Sequence, residues 1–291
     1  MNILVTGGLG FIGSNLISEL SKNKDNIIYS LDNNFTSENK NKVFSKNIEY
    51  IFGDTREIDR IFADINIDLV YHLGEYSRIV SSFEDIEIVK EFNANGTFRV
   101  VKFCADKNIK LIYAASSSKF GDAENQHLSP YAWFKAKNVE LIKNFSRWFG
   151  LRYSIAYFFN VYGDNQIYEG KYSAVIGRFM QQYLNGEDLT VVYPGDQKRD
   201  FTHVSDIVRG LIKLIECGDN EEFQFGTGDN YTILELAKAF DHPYIIIPER
   251  RGERFEGKAM KDESTRKIEW EAEIDVIDYI KRFVNINNTE I

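Results

Sequence analysis

The chain has 291 residues, 43% of them hydrophobic and 14% aromatic, with a formal net charge of −9. That length supports one large α/β domain or a domain with a smaller lobe, and that apolar content supplies a buried core. The acidic balance argues against nucleic acid or anionic membrane as the main partner, while local arginines leave an anionic small molecule open.

Two cysteines, Cys104 and Cys217, sit in apolar helical patterns and read as buried thiols of a reducing compartment. The histidines (His72, His127, His203, His242) are scattered without ligand spacing, so no metal site is expected. The opening "MNILVTGG" is a strand followed by glycines, without a basic leader, and no apolar run reaches the ~20 residues that span a bilayer. A soluble, cytoplasmic protein is expected, with neither nucleic acid nor membrane as partner.

In chain order, β-rich runs at 2–6, 26–31, 48–52, 69–73, 109–114 and 152–158 predict strands. Stretches at 12–22, 55–64, 86–106 and 132–149 carry a helical period. Strand and helix in alternation imply an α/β fold, a parallel sheet covered on both faces that binds ligands at the carboxyl ends of its strands. Beyond residue 160 the alternation loosens, and tyrosines, glycines and charges crowd 160–179. The expected division is a dinucleotide-binding domain over 1–165, with returning segments around 200–226, and a substrate-binding lobe mainly over 166–291. The last residues, "NINNTEI", are expected to fray.

"VTGGLGFIGSNL" (5–16) sets Gly7, Gly10 and Gly13 directly after the first strand and at the opening of the first helix. Gly7 suits the turn, Gly10 lets a pyrophosphate approach the backbone, and Gly13 lets helix and strand pack closely. The helix N-terminus then offers N–H groups and a favourable dipole to phosphates. A glycine triplet is also an ordinary tight turn, so its place at the first strand is what favours a dinucleotide. Asp32 ends the second strand, where a carboxylate can accept both ribose hydroxyls of an adenosine and repel a 2′-phosphate. With no arginine just after it, NAD is favoured over NADP. Asp54, after the third strand, has the position to meet the adenine amine, although Asp in a turn is common.

"SPYAWFKAKNVE" (129–140) begins with Ser-Pro and continues as a helix, so Tyr131 and Lys135, four apart, share a face. A neighbouring ammonium stabilises a phenolate, giving a base that takes a hydroxyl proton while hydride leaves the same carbon. An aromatic ring packed on a lysine stem has the same spacing. The order of dinucleotide glycines, serine run and this helix favours the catalytic reading.

With these motifs the chain resembles the extended short-chain dehydrogenase/reductase family, in its nucleotide-sugar epimerase and dehydratase branch. The resemblance runs from end to end. It rests on TGGxGFIG (6–13), Asp32-Asn33, Gly53-Asp54, "HLG" (72–74), "NANGT" (93–97) and "SSSKFG" (116–121). Further along come YxxxK (131–135), "FNVYG" (159–163) and "RDFTHVSDI" (199–207).

The resemblance implies a Rossmann-type doubly wound parallel sheet with a smaller C-terminal lobe, NAD as cofactor, and a nucleotide-diphosphate sugar as substrate. It implies Tyr131 as the base, Lys135 on the nicotinamide ribose, and Ser116, counted back from Gly121, as the hydroxyl partner of the sugar oxygen. Gly7, Gly10, Phe11, Ile12, Gly13, Asp32, Asn33, Asp54, Leu73, Gly74 and Asn93 fall at the cofactor. Asn160 falls at the sugar nucleotide, and Arg199 and Arg250 at its diphosphate, since guanidinium forks match phosphate oxygens. A homodimer through 86–106 and 132–149 is implied as well, although Val89, Phe92, Val100 and Phe103 equally suit helix faces on the sheet.

Within that branch a 4,6-dehydratase keeps acidic residues just after its catalytic hydroxyl, where this chain has Ser117 and Ser118. Neither is a carboxylic acid, so dehydration is disfavoured. A ketone reductase of this branch generally uses NADPH, against which Asp32 argues. A 4-epimerase needs base, hydroxyl, NAD and room for the keto-sugar to turn over. A 4-dehydrogenase that releases the keto-sugar has the same reacting groups, so the two stay open. A non-catalytic binder on the same fold is the remaining reading, against which Tyr131 and Lys135 argue. The chain departs from the family at Gly74 and Glu75, where small residues are usual, at "KFG" (119–121) and at Gly177. Glu75, Tyr76 and Arg78 are expected to line the sugar pocket and to select a non-standard hexose or heptose, with Ser117 and Ser118 beside them.

Overall fold

Seven strands form one parallel sheet in the computed structural model, which describes residues 1–36, 40–120, 127–252 and 263–288. The strands are β1 (Asn2–Thr6), β2 (Ile27–Asp32), β3 (Ile48–Phe52), β4 (Leu69–His72), β5 (Lys110–Ser116) and β6 (Tyr153–Phe158). After β7 (Asn160–Tyr162), β8 (Leu189–Val192) and β9 (Lys198–His203), the chain returns to the sheet as β10 (Glu221–Phe225). The spatial order is β3-β2-β1-β4-β5-β6-β10, with every neighbouring pair parallel. The order reverses between β1 and β4, which opens a crevice at the carboxyl ends of the strands. This is the doubly wound Rossmann-type fold.

Covering both faces explains why β4 and β5 read as apolar runs instead of alternating patterns. On one face pack α1 (Phe11–Leu20) and α7 (Val204–Lys213), through Leu16, Ile17, Ile207 and Leu211. On the other lie α2 (Ile58–Ile61), α3 (Ile86–Val89), α4 (Thr97–Asp106) and α5 (Pro130–Phe149), with Ile58, Val100, Phe103, Val139 and Ile142 in the core. Val89, Val100 and Phe103 are all at most 1% exposed, so they serve the core. The apolar side chains left at the surface of α4 and α5 are Phe98, Trp133, Trp148 and Phe149.

A third core gathers α6 (Val175–Leu184), α8 (Ile233–Ala239) and α10 (Val276–Asn288) around Phe179, Leu236, Phe240 and Ile280. Beside it β9 pairs with β7 and with β11 (Asn230–Thr232), and β8 pairs with β12 (Tyr244–Ile247); α9 spans Glu263–Lys267.

Three expectations are revised. The stretch 55–64 forms only a 3₁₀ turn at Thr55–Glu57 and the four-residue α2, because Ile58 and Phe62 are its fully buried apolar anchors and one turn seats both. The stretch 86–106 is helical throughout, but a seven-residue π turn at Lys90–Gly96 separates α3 from α4. Helix α10 continues to Asn288, into the segment expected to fray, while 289–291 lie outside the described residues.

Candidate active site

One cavity of about 800 Å³ opens at the carboxyl ends of the strands, with walls from both parts of the chain. Its cofactor end is built by the turn after β1. Gly7 has φ +69°, and a Cβ on Gly13 would stand 2.1 Å from the Gly7 carbonyl oxygen, so helix and turn meet at a distance only glycine permits. Gly10, Phe11, Ile12, Asp32, Asn33, Leu73 and Gly74 line the same end. Asp32 Oδ2 accepts the Leu9 N–H (2.9 Å) and Oδ1 the Asn34 N–H (2.8 Å), which aims the carboxylate and leaves lone pairs for ribose hydroxyls. Burial pushes its carboxyl above the ordinary range, opposed by those two N–H groups. Glycine cradle and oriented acid together fit an adenine dinucleotide.

Two residues expected at the cofactor stand behind the cavity wall. Asp54 caps the 3₁₀ turn and is held by Arg56 (Nε to Oδ1, 2.9 Å), which keeps its carboxyl below the usual range although burial pushes the other way. Asn93, on the π turn, is fully buried and spends its side chain on the backbone of Tyr76.

The same cavity brings together Ser116, Tyr131 and Lys135, the residues expected to react. Ser116 ends β5, and its Oγ accepts the Ser118 N–H at 3.2 Å. Ser129 caps α5, accepting the Ala132 N–H at 3.1 Å, and Pro130 follows at the first helical position. That sharp start sets Tyr131 in the first turn and Lys135 one turn on. Ser117 and Ser118 also line the cavity and are 6% exposed, and Ser118 Oγ is a buried hydroxyl without a protein partner. Gly121, the motif glycine, lies outside the described residues.

Glu75 departs most from expectation. It borders the cavity, yet its side chain is 1% exposed and its carboxylate turns into the protein. Oε2 pairs with Lys135 Nζ. Oε1 accepts from Asn138 Nδ2 (2.8 Å), Thr97 Oγ1 (2.9 Å) and Tyr113 OH (3.2 Å). The sugar-facing role expected for it therefore gives way to a buried ion pair. The Tyr76 hydroxyl likewise turns to Asp85 (2.8 Å), whereas Arg78 lines the cavity with its guanidinium on the backbone carbonyls of Tyr172 and Ser77.

Asn160 lines the cavity while its Nδ2 donates to the Asp200 carbonyl at 2.7 Å. Arg199, on β9, and Arg250 also line the cavity. Sequence reading missed Arg178 and Tyr172, which also line the cavity, and Asn138, which packs behind it. Asn138 was within reach of the pattern, since it lies three residues after Lys135 on the same helix face. Among the described residues no His, Cys, Asp and Glu cluster could hold a metal ion, and no helix is long and apolar enough to cross a membrane.

Residues 3–226 match the model of the NAD-dependent epimerase/dehydratase family. The chain belongs to that family. It is thus an NAD-dependent enzyme of the extended short-chain dehydrogenase/reductase class. A Methanocaldococcus jannaschii protein provisionally named UDP-glucose 4-epimerase is 30% identical, the match covering 97% of each chain. UDP-glucuronic acid decarboxylase 3 of Arabidopsis thaliana is 31% identical over 82% of this chain and 73% of its own. Among solved structures, the UDP-glucose 4-epimerase of Thermotoga maritima with UDP-glucose superposes with a TM-score of 0.88 at 26% identity, covering 100% of this chain and 99% of that one.

Proposed function

We propose that the enzyme is a nucleotide-sugar 4-epimerase acting through a transient 4-keto sugar. The carrying observation is the acid-base inventory of the cavity. Beside Tyr131 and Lys135 stand the hydroxyls of Ser116, Ser117 and Ser118. The lining carboxylates among the described residues are Asp32 at the cofactor end, Glu75 in its ion pair, and Glu84. A set of hydroxyls with one base suits reversible oxidation, and serines in place of acids directly after Ser116 leave no carboxyl there to expel a C6 hydroxyl.

In this reading NAD, held by the glycine turn and Asp32, supplies the electron-pair acceptor at the sugar carbon. Tyr131 takes the proton of the 4-hydroxyl as that carbon is oxidised, and gives it back when the carbon is reduced on its other face. Ser116 Oγ bonds the same sugar oxygen and keeps it in line with Tyr131. Lys135 directs an N–H toward the ribose and the tyrosine. Asn160 holds the sugar nucleotide, Arg199 and Arg250 take the diphosphate, and the unpartnered Ser118 hydroxyl meets the sugar. Residues 1–165 with 200–226 then act as the cofactor-binding part and the remainder of 166–291 as the substrate lobe. The exposed Phe98, Trp133, Trp148 and Phe149 offer a face for a homodimer. The two free cysteines agree with the reducing, cytoplasmic setting of this reading.

Incubation with UDP-, dTDP- and GDP-hexoses, followed by NMR, tests this directly. The expected product is the C4 epimer, formed ~10²–10⁴ times more slowly by Tyr131→Phe. A released 4-keto sugar, in step with reduced cofactor, would instead make the enzyme a 4-dehydrogenase. A 4-keto-6-deoxy sugar would overturn the reading from the serines.

A further inference from the structure

The Glu75–Lys135 pair ends a chain of buried hydrogen bonds that begins at the cofactor turn. Thr6 Oγ1 accepts the N–H groups of Leu73 (3.2 Å) and Gly74 (3.0 Å), which leaves its own proton to donate to His72 Nδ1 at 2.7 Å. Burial pushes the His72 imidazole down to about 4, so it is neutral and its one N–H is on Nε2. That N–H donates to Thr97 Oγ1 at 3.0 Å, and the Thr97 hydroxyl in turn donates to Glu75 Oε1 at 2.9 Å. Every donor in the chain points toward Glu75. With Asn138 and Tyr113 on the same oxygen and Lys135 on the other, this is the surround of an ionised carboxylate.

The arrangement constrains Lys135. Of the three N–H groups of an ammonium, one goes to Glu75 and one to the Ala114 carbonyl at 2.6 Å, with the Tyr113 ring beneath at 4.9 Å. A single N–H is left to point into the cavity. The carboxylate also cancels the lysine charge at the place where a nicotinamide ring, cationic when oxidised and neutral when reduced, would lie. A buried charge acts on a neighbouring site through a low effective dielectric, so its presence bears unequally on the two redox forms.

We propose that Glu75 is a fixed counter-charge that orients Lys135 and favours the oxidised over the reduced cofactor, making it a positioning residue for hydride return to the sugar. The proposal rests on the reading that Lys135 lies at the nicotinamide ribose.

The reduction potential of the bound cofactor, measured by equilibrating the NAD-loaded enzyme with a redox dye, tests it without substrate. In Glu75→Gln the affinity ratio of oxidised to reduced cofactor falls on the order of tenfold, an upward shift of about 30 mV in midpoint. Lys135→Met shifts the midpoint downward, and the charge-neutral Glu75→Gln/Lys135→Met double variant returns it to the wild-type value. Simple loosening of the site leaves the midpoint alone, because both redox forms share the same phosphate and adenosine contacts. A midpoint that moves in Lys135→Met but not in Glu75→Gln overturns the role of Glu75 and leaves Lys135 at the nicotinamide. No movement in either variant overturns both. Should Glu75→Gln fail to fold, the double variant decides, since a midpoint matching Lys135→Met alone removes Glu75 from the account.

Discussion

Asn93 on the π turn and Tyr76 on the loop after β4 exchange two hydrogen bonds, Tyr76 N–H to Oδ1 at 2.8 Å and Nδ2 to the Tyr76 carbonyl at 2.9 Å. The Asn93 carbonyl in turn accepts from Asn138 of α5 at 2.6 Å. Three elements are thereby joined behind the part of the cavity that holds Tyr131 and Lys135, and the wider π turn lets a helix residue reach the loop. Asn93→Ala strands the buried N–H and carbonyl of Tyr76, at a cost of about 3 kcal/mol in a denaturant titration. Turnover falls as well, because the loop carrying Glu75 loses its anchor.

The glycine turn makes a graded prediction. A Cβ at position 13 would meet the Gly7 oxygen at 2.1 Å, whereas one at position 10 would stand 3.1 Å from it. Gly13→Ala must push α1 off the turn, and NAD affinity measured by fluorescence titration falls on the order of a hundredfold. Gly10→Ala loses less. Equal losses at the two positions would mean that backbone clearance under the helix is not what matters.

His72 makes stability depend on pH. Its ordinary value of 6.5 drops to about 4 in the folded protein, through burial above all, opposed by the Glu75 charge and helped to a smaller extent by the Lys135 charge. Above pH 6.5 the imidazole is neutral in both folded and unfolded chains and has no effect. Below it the unfolded chain takes up a proton that the folded chain refuses, so stability is lost as pH falls from 6.5 toward 4. The full difference corresponds to about 3 kcal/mol. Denaturant titrations at pH 7 and pH 4 should therefore show a steeper loss for the wild type than for His72→Gln. Parallel losses would show that other groups carry the acid sensitivity.

Much of the molecule was legible in the chain itself. Hydrophobic runs set the six main strands to within two residues, most plainly β4 and β5, because a strand buried on both faces needs unbroken apolar sequence. Glycine spacing and the Ser-Pro start of α5 marked the two ends of the cavity, since backbone clearance and helix capping are local properties. The π turn was not legible, because its buried residues, Asn93 and Gly96, are polar or small and give no apolar pattern to read. Nor was the direction of Glu75. A carboxylate after "HLG" could face a sugar or the interior, and four donors from β5, α4 and α5, distant in sequence and adjacent in space, decide for the interior. Local sequence determined the strands, the turn and the start of α5; the aim of the groups between them depended on which side chains the fold brought to the same buried point.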